Sequence, residues 1–315
     1  MEIRNLGRSG LRVSAIGLGC NNFGGRIDLA GTRKVIRKAL DLGITLFDTA
    51  DVYGNRGGSE DEMGQVLGDE RKRIVLASKF GFPMDDAGVK VGGSRRYIMQ
   101  AAEDSLRRLR TDYLDLYQVH QPDPHDTPIE ETLRALDDLV RQGKVRYIGC
   151  SNFSAWQVVE AQWTARANGL NAFVSCQDEY SLLVRNVVEP QLRPAMLQYG
   201  LGLLPFFPLA SGLLTGKYRR NTPLPAGTRL ANTARLADRY LTERNWAAAE
   251  KLADFAEQCG HTLLELAFSW LLAREPVASV IAGATRPDQL EQNVKAGSWR
   301  LSSEEMAAVD RILAA

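Results

Sequence analysis

The chain has 315 residues, 44% of them hydrophobic and 24% charged, an ordinary balance for a folded globular protein and a length that one α/β barrel accommodates. Lys and Arg number 39 against 38 Asp and Glu, for a net charge of +1; no basic run is long enough to track phosphates, so nucleic acid is a poor partner. Cys20, Cys150, Cys176 and Cys259 contain no CxxC pair and only three histidines accompany them, which argues against a zinc site or a disulfide scaffold and fits a reducing cytosol.

The N-terminal "MEIRNLGRSGLRVS" carries two short alternating runs around a Gly-Arg-Ser-Gly turn and reads as a hairpin; continued through "AIGLG", it lacks the basic start and apolar core of a signal peptide. From residue 15 onward, eight strand-like runs follow: "AIGLG", "ITLFDTA", "IVLASK", "LDLYQVH", "RYIGCS", "AFVSCQ", "LGLLPFF" and "VASVIAG". Amphipathic segments separate them. The cleanest is "TPIEETLRALDDLVRQGK", where the spacing predicts Thr127 as N-cap, Pro128 as the first helical residue, Glu130 completing a capping box, and Gly143 as the stop. The stretch "TLLELAFSWLLAREP" is broken by Glu265 and Ser269 and is too short to cross a bilayer, so no membrane insertion is expected.

Near-continuously apolar strands alternating with helices imply a parallel sheet covered by those helices, and eight such units close into a (β/α)8 TIM barrel. The expected fold is therefore α/β, one domain over residues 1–315. The N-terminal β-hairpin caps the bottom, and a long irregular loop, roughly 210–240, follows strand seven. The common phosphate cradles are missing. "GLGCNNFG" has Asn22 where a GxGxxG fingerprint needs its third glycine, and "GLLTGKY" has neither the spacing nor the Ser/Thr of a P-loop.

In such a barrel the C-terminal strand ends share one face. Strand two delivers Asp48 there, with Tyr53 in the following loop; strand three ends at Lys79, strand four at His120, strand five at Ser151 and Asn152, and strand six at Gln177. Each has an ordinary reading alone: a solvated lysine, a turn-capping Asp, a loop aromatic, a satisfied rim histidine. Chance is the weaker account of all of them at one mouth.

The blocks "FDTADVYG", "SKFG", "VHQPD", "GCSNF", "QDEYSLL", "PLASGLLTGKY" and "AGATRPDQLEQN" follow an order that resembles the aldo-keto reductase superfamily over essentially the whole chain. The likeness is closer to bacterial oxidoreductases and potassium-channel beta subunits than to aldose reductases. It implies a catalytic tetrad of Asp48, Tyr53, Lys79 and His120, and a nicotinamide cofactor, NADP(H) with NAD(H) as the alternative. By the same resemblance Ser151, Asn152 and Gln177 hold the carboxamide and Phe206 stacks on the ring. Gly19, Cys20, Asn21, Asp48, Pro208, Leu209, Ser211, Gly212 and Gly283 line the cofactor, and Lys217 and Arg229 grip its phosphates. Thr285 and Arg286 meet the 2′-phosphate, while Gln289, Gln292 and Asn293 face the adenine. Phe206-Phe207 stands where many relatives have Tyr or Trp followed by Ser, and Cys20-Asn21 where some have Thr-Trp. Phe23, Tyr53, Phe82, His120 and Tyr180 are the expected substrate pocket.

The implied chemistry is reduction of an aldehyde or ketone, with no metal. Asp48 would sustain the Lys79 ammonium, and Lys79 would draw the Tyr53 pKa down from about 10 toward neutrality, making it a general acid. His120 would orient and polarise the carbonyl oxygen. A cofactor-binding regulatory protein, as channel beta subunits are, is the alternative reading.

Overall fold

The N-terminal runs pair antiparallel as β1 (Ile3–Asn5) and β2 (Arg12–Ser14). The structure is a computed structural model that describes residues 1–314; Ala315, the last residue of the expected domain, lies outside the described residues. Strands and helices then alternate: β3 (Ile16–Gly19), α1 (Leu29–Asp41), β4 (Leu46–Asp48), α2 (Tyr53–Leu67), β5 (Val75–Phe80), α3 (Arg95–Leu109), β6 (Leu114–Val119), α4 (Ile129–Arg141), β7 (Val145–Ser151), α5 (Ala155–Asn168), β8 (Ser175–Glu179), α6 (Arg193–Tyr199) and β9 (Gly202–Phe206). Four helices, α7 (Arg229–Asn232), α8 (Ala234–Tyr240), α9 (Glu243–Gln258) and α10 (Leu263–Leu272), precede β10 (Val280–Gly283), which α11 (Pro287–Ala296) and α12 (Ser303–Ala314) follow.

β3 to β10 form one parallel sheet in the order β10-β3-β4-β5-β6-β7-β8-β9. The remaining seam is drawn together by Leu203, whose N–H donates to Pro276 O (2.9 Å) and whose carbonyl accepts from Ala278 N (2.9 Å). The result is the expected (β/α)8 barrel, nearly closed, with the hairpin packed against its lower end.

Period-two alternation sorts the strand residues. Phe47, Leu76, Phe80, Tyr117, Val119, Ile148 and Leu203 pack in the large core with the helices. Their neighbours Leu46, Ala77, Leu116, Leu204 and Ile281 form a second cluster with Leu6, Leu11 and Val13 of the hairpin region, filling the barrel's lower interior. Two residues further along the same faces stand Asp48, Lys79 and Gln118, a polar layer above the apolar one.

Two local expectations are corrected. Pro128 has ψ 135, which is extended, so it occupies the N-cap position itself and α4 starts at Ile129. Thr127 caps nothing; its N–H donates to Asp123 Oδ1 (3.1 Å), a carboxylate that also takes the His125 N–H (2.6 Å). The irregular stretch after β9 is partly ordered as a short 3-10 turn, Ala210–Thr215, and as α7 and α8.

Candidate active site

Lys79 is fully buried near the end of β5, and three oxygens surround its ammonium: Asp48 Oδ2 at 2.7 Å, Thr49 O at 2.8 Å and the Tyr53 hydroxyl at 3.4 Å. An ammonium has three protons to donate, so the arrangement satisfies it. On the other side of Tyr53, His120 Nε2 lies 3.5 Å from the hydroxyl, and the Phe82 ring packs edge-on to the imidazole at 4.4 Å between centroids. Asp48, Tyr53, Lys79 and His120 therefore converge.

Tyr53 is held by an unusual turn. Gly54, Asn55 and Arg56 all have positive φ (66, 60 and 66) before the regular part of α2 begins. A Cβ on Gly54 would lie 2.5 Å from Ser59 N and 2.6 Å from Phe23 O, so only glycine fits. Behind the turn, fully buried Glu60 accepts from Ser78 Oγ (2.5 Å) and Arg108 Nε (2.7 Å), and Asp51 accepts from the Tyr97 hydroxyl (3.2 Å).

The electrostatics correct one expectation. Burial disfavours the Lys79 ammonium, but Asp48 and Tyr53 outweigh it and hold its pKa above the ordinary lysine value. Burial also raises the Tyr53 pKa, and the Lys79 charge offsets only part of that rise. Lys79 therefore does not bring the phenol toward neutrality; Tyr53 keeps its proton. Burial, reinforced by the Lys79 charge, pushes His120 well below its usual pKa, so the imidazole is neutral; its Nδ1 is buried without a partner among the described residues.

The residues that the resemblance assigns to a cofactor lie at strand ends and in the segments that follow those strands. Gly19 ends β3 and Gly283 ends β10, register partners whose side-chain space is closed by their surroundings: a Cβ on Gly283 would stand 3.1 Å from Asn22 Nδ2. Cys20 is fully buried and donates its N–H to Asp48 O (2.9 Å), while Asn21 stays partly exposed. Asn152, at φ 61, donates from Nδ2 to His120 O (2.9 Å) and Ser151 Oγ (3.0 Å). Gln177 Nε2 donates to Asp48 Oδ1 (2.9 Å). Phe206 ends β9 with Phe207 edge-on at 5.4 Å, and Pro208 and Leu209 lead into Ser211 (φ 56) and Gly212 (φ 103). Backbone strain of this kind gathers at functional rims.

Ser211 Oγ is buried near the Tyr240 hydroxyl, with no hydrogen bond of good geometry among the described residues. Arg229 reaches Asn22 Oδ1 (3.3 Å), its guanidinium pressed below its usual range by burial and then by Arg26, and among the described residues it pairs with no carboxylate. Lys217 Nζ lies beside Gly212. At the start of α11, Gln289 Oε1 is occupied by the N–H groups of Thr285 (2.8 Å) and Arg286 (3.3 Å), and Arg286 is held by both oxygens of Asp288 at 3.1 Å. Gln292 is exposed and Asn293 buried.

Among the pocket candidates, Tyr53, Phe82 and His120 meet at the mouth. Phe23 and Tyr180 do not: Phe23 is 0% and Tyr180 1% exposed, and the Tyr180 hydroxyl donates to Glu189 (2.7 Å). Both belong to the core. One further residue was overlooked: fully buried Gln118, whose Nε2 donates to Asp48 Oδ1 (3.2 Å). The signal was present, since Gln118 sits two residues before His120 and so shares its face. Among the described residues no group of three or more His, Cys, Asp or Glu could hold a metal, and no helix is long and apolar enough to cross a membrane.

A parallel barrel with a buried Asp–Lys pair, a tyrosine and a neutral histidine at its C-terminal mouth defines a class of oxidoreductase that acts on carbonyl compounds. Residues 15–314 match the Aldo/keto reductase family, and the chain belongs to it. It is 37% identical over 323 residues to L-glyceraldehyde 3-phosphate reductase of Escherichia coli (strain K12), covering 100% of this chain and 93% of that protein. A probable voltage-gated potassium channel subunit beta of Arabidopsis thaliana is 38% identical over 305 residues (94% of this chain, 91% of that one). The uncharacterized oxidoreductase YrpG of Bacillus subtilis (strain 168) is 37% identical over 326 residues (99% and 96%).

Proposed function

We propose that the protein is an NADPH-dependent reductase of aldehydes or ketones in which Tyr53 donates the proton. The observation that carries this reading is the Lys79 ammonium, fully buried between Asp48 Oδ2 (2.7 Å) and the Tyr53 hydroxyl (3.4 Å). A nicotinamide cofactor supplies the hydride that no side chain can.

The mouth fits such a group. Arg229 and Lys217, which pair with no carboxylate among the described residues, suit a phosphate-bearing ligand, and Ser151, Asn152 and Gln177 offer the donors and acceptors an amide needs. Thr285 and Arg286 are the candidates for a 2′-phosphate; Arg286 would exchange Asp288 for it.

In the reaction Tyr53, protonated, holds its hydrogen toward the substrate oxygen, and neutral His120 donates a second hydrogen bond to that oxygen from Nε2. The ammonium of Lys79 stabilises the phenolate left behind, and Asp48 holds that ammonium in place. Phe82 narrows the approach and keeps water from the imidazole.

Titration of the protein's fluorescence with NADPH, followed by an aldehyde and ketone panel, tests the reading. Tight binding with steady NADPH consumption is expected, and absence of binding overturns it. Tyr53→Phe should bind NADPH as before and lose roughly 10²- to 10⁴-fold in turnover. Arg286→Ala should weaken NADPH more than NADH. Similarity to proteins named as potassium channel beta subunits supports a second reading as a regulator, for which tight binding with negligible turnover across the panel would speak.

A further inference from the structure

Gln118 lies at the end of β6, in register with Lys79 on β5, and is completely shielded from water. Its Nε2 donates to Asp48 Oδ1 (3.2 Å), and its Oε1 stands 3.5 Å from Gln177 Nε2. Gln177 Nε2 also donates to the same Asp48 oxygen at 2.9 Å. Both protons of the Gln177 amide nitrogen thus have acceptors, one a carboxylate and the other the Gln118 carbonyl. Turning the Gln177 amide over would set its oxygen against two oxygens. Its own Oε1 accepts from nothing among the described residues.

We propose that Gln118 is a positioning residue that locks the plane of the Gln177 amide, so that Gln177 Oε1 is presented as an acceptor for the N–H2 of a nicotinamide carboxamide. This rests on the nicotinamide reading above. Asp48 by itself decides which end of the Gln177 amide faces inward, but a single hydrogen bond leaves the amide free to twist; Gln118 removes that freedom. The same carboxylate that sustains Lys79 thereby also anchors the group that reads the cofactor's amide. The charged groups facing Gln118 are Asp48 from β4 and Lys79 from β5.

The test is the binding of NADP⁺ against its 3-acetylpyridine analogue, in which a methyl group replaces the carboxamide N–H2, measured by calorimetry in the absence of substrate. The wild-type protein should prefer NADP⁺. In Gln118→Met, near-isosteric but without the acceptor, that preference should fall by about threefold to tenfold, the worth of one neutral hydrogen bond, through weaker NADP⁺ binding with the analogue little changed. In Gln118→Glu, burial and the Asp48 carboxylate hold the new carboxyl protonated, so it still donates to Asp48 Oδ1 and still offers an oxygen to Gln177, and it should restore the preference to within about twofold. Thermal melts establish that each variant is folded; if Gln118→Met is not, Gln118→Glu decides, and loss of the preference there overturns the lock. Equal weakening of both cofactors in Gln118→Met, which simple packing would give, also overturns it, as does a wild-type protein that binds the two equally. A wild-type protein that binds neither fails the nicotinamide reading instead.

Discussion

Three oxygens for three protons explain how Lys79 stays charged without water, and they also set what its removal costs. Lys79→Met leaves the Asp48 carboxylate buried at 3% exposure with only two amide donors, and breaking such a pair costs on the order of 3–5 kcal/mol. A urea titration should show a correspondingly lower midpoint, with carbonyl-reducing turnover lost as well. Asp51 makes the opposite case. Burial, then the Glu60 charge, raises its pKa to about 8, and its Oδ1 has no partner among the described residues. The folded state therefore keeps a proton that the unfolded chain releases at about pH 4, so this contribution to stability is full below that pH and is lost as pH rises through about 8. Asp51→Asn, which carries no such charge, should gain on the wild type as pH rises, by on the order of a few kcal/mol at about pH 9 and by almost nothing near pH 4. Thermal melts across that range measure it. None of these magnitudes was legible in the residues: the meeting of Asp48, Tyr53, Lys79 and His120 was, but the sign of the Tyr53 shift was not, because burial is a property of the folded mouth.

Among the elements, strands were easier to read than the turns that leave them. Each apolar run has a strand within it, since side chains on both faces are covered, but the ladders are shorter: β4 keeps only Leu46–Asp48 of "ITLFDTA". Period two carries the inward face from Leu116 through Gln118 to His120, so the missed glutamine needed only that rule. Tyr180 misled for the opposite reason. It follows β8 directly, and beyond a strand's end the alternation no longer says which way a side chain turns. Gln289 likewise reads as a ligand-facing amide until its oxygen is seen capping α11. The turn carrying Tyr53 is the element most open to test. Gly54→Ala adds a Cβ 2.5 Å from Ser59 N at a residue with φ 66, so the turn must move, and the phenol moves with it. Turnover should fall by about tenfold or more with a loss of roughly 1–3 kcal/mol in stability, read from kinetics and urea unfolding of the same preparation.

Across the whole molecule the barrel interior is stacked, apolar below and polar above. Leu6 of the hairpin loop is fully buried and packs in one cluster with Leu46, Ala77, Leu116, Leu204 and Ile281. The chain at Gly7 runs so close to β9 that a Cβ there would lie 2.4 Å from Gly200 O and 2.6 Å from Gly202 N, which seats the hairpin firmly under the strands. The polar layer starts two residues above, at Asp48 over Leu46, or about 6–7 Å along the strand. Chemistry and plug therefore share strands but not side chains. Leu6→Ala should leave a cavity in the plug and cost about 2–5 kcal/mol, seen as a lower urea midpoint. The Asp48–Lys79–Tyr53 contacts lie in the next layer, so carbonyl-reducing turnover of the folded variant should stay within about twofold of the wild type. A folded Leu6→Ala protein with lost turnover would mean that the two layers shift together rather than independently.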